Sequence, residues 1–324
     1  MNAEVFSEWL RRQGYGVEKT NSSHWYEASP RVYQAFPYHW LIQPPEDELL
    51  GLLRQKRAIA LRYSSSIEST VGCISYHAIY DKPDYTLDSL DRRSRQNIRK
   101  GLKNCRVETI SLERLAEEGW WLENDTASRQ GRQLEINKNI WRRRYMAAAD
   151  LPGFEAWGAL VDGRLVASLF TFRMEDCCEM ISQQCHRDYL NARVNNDLSF
   201  VVTRTMINRS GIKSVFYSLQ SLDAPASVDQ FKFRMGYTAK PVRQRVVFRS
   251  LLAPVLNKAS YAVVNRLSEY RPDIPLLSKA RGMLRFYLAG RCLPAEQDWP
   301  ECLVDRKIEL LEEMKMQGGM KNEG

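Results

Sequence analysis

The chain has 324 residues, with 47 Lys and Arg against 39 Asp and Glu, a formal net charge of +8 and 44% hydrophobic content. That length allows two domains, or one with an appendage, and the composition supports a sizeable core rather than wholesale disorder. Collagen, coiled coil, secreted mini-protein and integral membrane protein are excluded. No apolar run approaches the roughly 18 residues of a membrane span. The start, Met-Asn-Ala-Glu-Val-Phe-Ser-Glu, lacks the basic and apolar segments of a secretory signal. Seven cysteines fit a reducing compartment better than a disulfide framework. The expectation is a cytoplasmic protein with a polyanionic partner.

In chain order, Met1–Gly16 reads as a short amphipathic start with Val5, Phe6, Trp9 and Leu10 on one face. The aromatic stretch from His24 to Trp40, broken by Pro30 and Pro37, predicts loop and short strand. Strands are predicted at Ala58–Tyr63 and within Thr70–Tyr80. After Leu90 the pattern turns helical: Arg92, Arg95, Arg99, Lys103 and Arg106 recur every three or four residues and form one basic stripe, with Ile98, Leu102 and Cys105 on the adjacent face. Leu112–Leu134 and Ile140–Ala149 also read as helix.

Glu155–Phe248 is the most readable part. Ala156–Val161 and Arg164–Arg173 flank Asp162-Gly163, a two-residue hairpin signal. A third strand is predicted at Cys177–Cys185, then a helix from about Asn195 to Ser210 closed by Gly211. Strand Ser214–Gln220, helix Ser227–Met235 and strand Val242–Phe248 follow. A sheet carrying a helical crossover belongs to the mixed α/β class. Leu251–Cys292 is basic with helical spacing and is expected to pack over the sheet, with an anionic membrane surface as the alternative. The last ten or so residues are expected to be disordered.

Several chemistries have nothing to stand on. His24, His39, His77 and His186 form no HxxxH or HExxH pair. Cys177-Cys178 with Cys185-His186 has a soft-ligand flavour, but adjacent strand cysteines point to opposite faces, so no metal site is expected. The absence of GxSxG, GxxxxGK[ST] and GxGxxG argues against hydrolase, kinase and dinucleotide oxidoreductase readings.

Three blocks carry a resemblance. Phe231-Lys232-Phe233-Arg234-Met235-Gly236-Tyr237 resembles the final-helix signature of FemAB-type proteins, a branch of the GNAT acyltransferase superfamily. Ser94–Gly101, Ser-Arg-Gln-Asn-Ile-Arg-Lys-Gly, is similar to the Arg-x-x-Ile-Arg-Lys-(Gly/Ala) helix of that branch. Arg193 with Asn195-Asn196-Asp197-Leu198, then a helix closing on Gly211 and the strand Val215–Leu219, resembles its Asn-bearing helix start. Together they cover about residues 25–250. The resemblance implies a GNAT-like mixed sheet with flanking helices, with a reduced tandem copy in the N-terminal half and a helical C-terminal extension. The expected domains are 1–110, 111–250 and 251–324.

It also implies roles. The pyrophosphate of coenzyme A would rest on the helix start at Arg193, Val194, Asn195 and Asn196, where backbone N–H groups and about half a positive charge face an anion. The usual Arg/Gln-x-x-Gly-x-Gly/Ala loop is absent, and Arg193-Val-Asn-Asn-Asp contains no glycine. Lys232 lies four residues before Gly236, where many GNAT enzymes place a tyrosine that protonates the leaving thiolate; it would donate there or anchor phosphate. Backbone N–H groups of the splayed strand Cys177–Cys185 would hold the oxyanion, and His186, Asp197 or Tyr217 would accept the proton. Arg95, Arg99 and Lys100 would contact substrate phosphate, the alternatives being tRNA or a plainly solvated face. The expected reaction is transfer of an acyl group from acyl-CoA, without a metal, to an amine on a cell-envelope or exopolysaccharide precursor. Aminoacyl-tRNA as donor is the second reading. A non-catalytic GNAT-like module binding an anionic polymer or membrane is the third. The expected location is the cytoplasm, with the inner face of the membrane as a contact.

Overall fold

The computed structural model describes residues 2–129, 136–222, 226–271 and 274–320. In chain order its strands are β1 (Val17–Lys19), β2 (His24–Ser29), β3 (Val32–Phe36), β4 (Ala60–Ser65), β5 (Cys73–Tyr80), β6 (Arg106–Ile110), β7 (Phe154–Val161), β8 (Arg164–Met174), β9 (Cys177–Cys185), β10 (Ser214–Leu219) and β11 (Thr238–Phe248). Its α-helices are α1 (Ala3–Arg12), α2 (Glu46–Gln55), α3 (Arg92–Asn104), α4 (Leu112–Glu118), α5 (Trp120–Arg129), α6 (Lys138–Met146), α7 (Val194–Ile207), α8 (Ala226–Arg234), α9 (Lys258–Tyr270), α10 (Pro275–Ala289) and α11 (Lys307–Met320). No described helix is long and apolar enough to cross a membrane.

The chain divides into two compact units. The first comprises the described parts of Met1–Gly14, Ala78–Ser218 and Pro225–Thr238; the second those of Tyr15–His77, Leu219–Ala224 and Ala239–Gly324. The boundaries expected at 110/111 and 250/251 fall inside the first and the second unit respectively.

In the first unit the strand order is β10-β9-β8-β7-β6. All pairs are antiparallel except β9–β10, which is parallel and is joined through α7. The β7–β8 turn has Asp162 and Gly163 both at positive φ, +50° and +77°, the mirror-image turn that an Asp-Gly pair favours. Helix α1 seals one face with aromatic side chains: Phe6 lies 5.3 Å from Phe172 between ring centroids, and Trp9 5.2 Å from Phe154. Trp9 Nε1 donates to Arg144 O at 2.8 Å, which satisfies the one polar atom of that buried ring.

In the second unit the order is β1-β2-β3-β4-β11-β5. Antiparallel β1, β2 and β3 lead through α2 to β4, which runs parallel to β3. Leu49, Leu52 and Leu53 of α2 pack on Trp25, Tyr33, Leu61 and Tyr63. Met283 and Phe286 of α10 pack in a separate cluster with Ala60, Cys73 and Val246. Each unit therefore repeats one scheme, an antiparallel run, a crossover helix and a parallel strand, with four strands in the antiparallel run of the first unit and three in that of the second. This is a mixed α/β fold with flanking helices and a helical C-terminus.

Several expectations need correction. The basic stripe stops at Lys103, because Cys105 turns extended after its N–H closes the helix on Gly101 O, and Arg106 opens β6 opposite Leu160. Leu102 is exposed, and the buried side of α3 is Ser94, Ile98 and Gly101. The helical stretch from Leu112 is broken at Gly119 into α4 and α5, and the expected part at 130–135 lies outside the described residues. Helix α7 ends at Ile207, with Asn208 as its cap; Gly211, at φ +84°, lies in the turn beyond. The C-terminus is helical through Met320, anchored by buried Leu303 and Leu310; the expected disorder at 321–324 lies outside the described residues.

Candidate active site

The parallel register of β9 and β10 spans Ser214↔Cys177, Val215↔Cys178 and Phe216↔Glu179. Strand β9 then continues to Cys185 against β8. Between Met180 and Ser182 the β8–β9 register shifts by one, with Phe170 opposite Ser182 and Thr171 opposite Met180. That bulge at Ile181 bends the strand, and the β9–β10 register ends just before it, at Phe216↔Glu179. Two side chains bridge the opening: Tyr217 Oη donates to Gln183 Oε1 at 2.7 Å.

Gln183 is the hub. Its Oε1 also accepts from Ser199 Oγ at 3.2 Å, and its Nε2 donates to Asn195 Oδ1 at 2.8 Å and Asn195 O at 3.3 Å. One amide thus ties β9 and β10 to the first turns of α7. Burial raises the Tyr217 phenol above its ordinary value, a hydrogen bond with Ser199 opposing it, so the group is a neutral hydroxyl at working pH. Its ring stands edge-on to Tyr237, 5.1 Å between centroids, and Tyr237 Oη shares a 2.6 Å bond with Thr203 Oγ1.

Lys232 completes the chain. It is 3% exposed, its Nζ is 5.8 Å from the centroid of the Tyr217 ring, and it pairs with Asp229 Oδ1 at 2.7 Å across one turn of α8. The Phe231–Tyr237 block holds it there. Tyr85 Oη donates to Met235 O at 2.6 Å, and Gly236 takes φ +84°. A Cβ at Gly236 would stand 2.8 Å from Leu90 Cδ2, so a side chain there is opposed by backbone and space alike. Asn196 Nδ2 lies 3.6 Å from Met235 Sδ, linking α7 to the same turn.

The other expected residues fall elsewhere. Arg193, at φ +64°, caps α7 without a side-chain hydrogen bond, and Val194 is fully buried. The Asn195 N–H is directed at the Cys185 thiol, and the N–H groups of Asn196 and Asp197 bond to Arg193 O at 3.1 and 3.2 Å. Helix α3 crosses this turn so closely that a Cβ on Gly101 would lie 2.6 Å from Asp197 Cβ and 2.7 Å from Arg193 O. Asp197 is buried beneath it; burial raises its carboxyl to about 6, and the Cys105 thiol, donating to Oδ2 at 3.3 Å, opposes the rise. His186 belongs to another cluster: its ring packs on Trp121 at 4.3 Å and lies 3.7 Å from Asp125. Burial pushes Asp125 up, but hydrogen bonds from the Arg187 side chain and backbone outweigh it and hold the carboxyl below its ordinary range. Arg99 and Lys100 are exposed on α3, and Arg95 pairs with Asp88 at 3.4 Å. Among the described residues no three His, Cys, Asp or Glu side chains form a group able to hold a metal.

Sequence reasoning missed Gln183, Ser199 and Asp229. The available signal was the polar run Ser182-Gln183-Gln184 near the end of a strand whose other residues, Glu179 apart, are apolar.

No family model matches the sequence, and no curated protein matches it in sequence. Solved structures do match in fold. FemX superposes with a TM-score of 0.55 at 10% identity, over 78% of this chain and 93% of FemX. The C-terminal domain of a lysylphosphatidylglycerol synthetase candidate from Agrobacterium fabrum superposes with a TM-score of 0.53 at 12% identity, over 82% of this chain and 91% of that domain. The fold is GNAT-like, as the resemblance implied, and is shared with FemX and with that synthetase domain.

Proposed function

We propose that this chain is a transferase that moves an acyl group from an activated carrier to an amine, the acceptor being a precursor of the cell envelope or of an exopolysaccharide. The observation that carries this reading is the opening between β9 and β10, bridged by Tyr217 and Gln183 with the buried ammonium of Lys232 beside them. In such a reaction a C–N bond forms at the carbonyl carbon, the amine loses a proton, and the departing oxygen or sulfur gains one. Backbone N–H groups of β9 beyond Glu179 are the dipoles available to the carbonyl oxygen. Lys232 supplies positive charge or a proton to the leaving group. Tyr217, neutral and already donating to Gln183, orients rather than accepts the amine proton. Asp197 is sealed under α3 and His186 sits in its own cluster, so neither is assigned a role in this reading.

The donor reading turns on the start of α7. A pyrophosphate laid along it needs exposed N–H groups and room for a close backbone approach. Here Val194 is buried, the first N–H groups are engaged and α3 covers the turn, so the residues present do not fit that pose. This favours an aminoacyl-tRNA donor, with Arg95, Arg99 and Lys100 of α3 on its phosphates. The name of one fold neighbour, which joins a lysyl group to phosphatidylglycerol, supports an aminoacyl cargo and a lipid-like acceptor. Acyl-CoA is the second reading, favoured by Lys232 standing at the position of the thiolate-protonating tyrosine. Either reading places the protein in the cytoplasm, where these carriers are made.

Thermal unfolding with coenzyme A, acetyl- and long-chain acyl-CoA, and tRNA distinguishes the donors. A ligand at about 100 times its dissociation constant stabilises by roughly 2.7 kcal/mol. Stabilisation by tRNA that fades with salt supports the first reading, and stabilisation by acyl-CoA alone supports the second. Lys232→Ala is expected to lower transfer by about 100-fold or more while leaving anionic-polymer binding intact. Wild-type transfer by a folded Lys232→Ala or Lys232→Met variant would overturn the assignment of Lys232. Polymer binding without transfer would leave the third reading, a non-catalytic module.

A further inference from the structure

Helix α9, in the second unit, turns an apolar side outward. Val263, Leu267 and Tyr270 are spaced four and three residues apart, share one face and are 59%, 45% and 81% exposed. The inward side holds Ser268, which is buried, and Ser260, Tyr261, Val264 and Asn265, which are half-buried. Leu251 and Val255 stand exposed in the 3-10 helix Ser250–Val255 just before α9, and Leu276 stands exposed at the start of α10. Single exposed apolar residues are ordinary; a stripe with caps at both ends marks an interaction surface. The basic, helix-forming stretch expected to pack as a whole thus divides: α10 buries Met283, Leu284 and Phe286, while α9 presents Val263, Leu267 and Tyr270 to solvent.

The charge of the face says what covers it. Lys258, Arg266 and Arg271 are exposed on and beside α9, and Glu269 is the helix's one carboxylate. A two-fold contact with a second copy would set this basic face against itself. We propose that the α9 face docks on an anionic phospholipid bilayer, with Val263, Leu267, Tyr270 and Leu276 at the boundary of headgroups and acyl chains and Arg266 and Arg271, on either side of the stripe, at the lipid phosphates. The arrangement matches an interfacial helix: an apolar stripe flanked by basic residues, with an amphipathic tyrosine at its end. It uses no residue of the candidate active site and stands independently of the reaction proposed above.

The test is sedimentation of the full chain with vesicles of phosphatidylcholine alone and of phosphatidylcholine with phosphatidylglycerol. Binding is expected only to the second kind, fading as salt rises. Arg266→Gln and Arg271→Gln are each expected to weaken it about fivefold. Val263→Asp with Leu267→Asp is expected to weaken it at least about tenfold, with the thermal midpoint unchanged because both side chains are exposed. Should that pair fail to fold, the two Gln variants still decide the question. Absence of binding to phosphatidylglycerol vesicles at low salt overturns the proposal, as does binding that none of these variants alters. A dimer in sedimentation velocity that the Asp pair dissolves, without vesicle binding, overturns it in favour of a second copy of the chain.

Discussion

Gln183 illustrates how much of the candidate site rests on one uncharged side chain. Its oxygen accepts from Tyr217 and Ser199 and its nitrogen donates to Asn195, so three polar groups, the Ser199 hydroxyl fully buried among them, depend on it. Removing one partner differs from removing the hub. In Tyr217→Phe, Gln183 keeps its bond from Ser199, and the cost is expected to be about 1 kcal/mol. In Gln183→Leu, the Tyr217 and Ser199 hydroxyls and the Asn195 amide oxygen lose their partner together, and the cost is expected to be about 2–4 kcal/mol. Urea unfolding midpoints at a common pH measure both. Equal costs would mean that the hub is spare. Of this site, Lys232, Tyr217 and Asn195 were legible from the sequence through their place in recognisable blocks. Gln183 was not, because a glutamine on a strand declares nothing until a bulge two residues earlier sets its neighbours.

Among the elements, the crossing of α3 and α7 depends most on a single position. The two helices meet where Gly101 faces Arg193 O and Asp197 Cβ, and backbone and a Cβ cannot swing aside as a flexible tip does. Gly101→Ala is therefore expected to destabilise by about 1–3 kcal/mol, against the gain that alanine gives an unobstructed helix interior. A neutral or stabilising Gly101→Ala in thermal unfolding would show that α3 can move off α7, and would reopen the case for a phosphate on that helix start. Elements with local signals were read correctly: Asp162-Gly163 announced its hairpin, and the Phe231–Tyr237 block announced α8 and its glycine turn. Strand β6 was not read, since Arg-Val-Glu-Thr-Ile is short and mixed in polarity and is a strand because β7 pairs with it from some fifty residues away. The overrun of the basic stripe into Arg106 has the same cause. Helical spacing continues in the sequence past the point where a distant strand captures the chain.

For the molecule as a whole, the pH dependence of stability is expected to carry two opposed contributions, one from each unit. In the second unit His77 is buried, its Nε2 2.9 Å from Ser64 Oγ. Burial lowers its value from 6.5 to about 3, with the charges of His39 and Arg62 adding to the effect. The unfolded chain takes up that proton first, so this contribution is present above about 6.5 and is lost as pH falls toward 3. Asp197, in the first unit, runs the other way. Its folded value, raised from 3.8 to about 6, lies above the unfolded one, so its contribution is present below 3.8 and is lost as pH rises through 6. Between about 4 and 6 the two offset each other, and the wild-type stability curve is expected to be flatter than either group alone would make it. His77→Gln is expected to lose less stability on acidification than the wild type. Asp197→Asn is expected to gain on the wild type as pH rises to neutral, by on the order of 3 kcal/mol at most. The comparison is of slopes, so a constant cost of either substitution does not disturb it. Urea midpoints of the three proteins across this range decide the matter, and three parallel curves would remove both groups from the account.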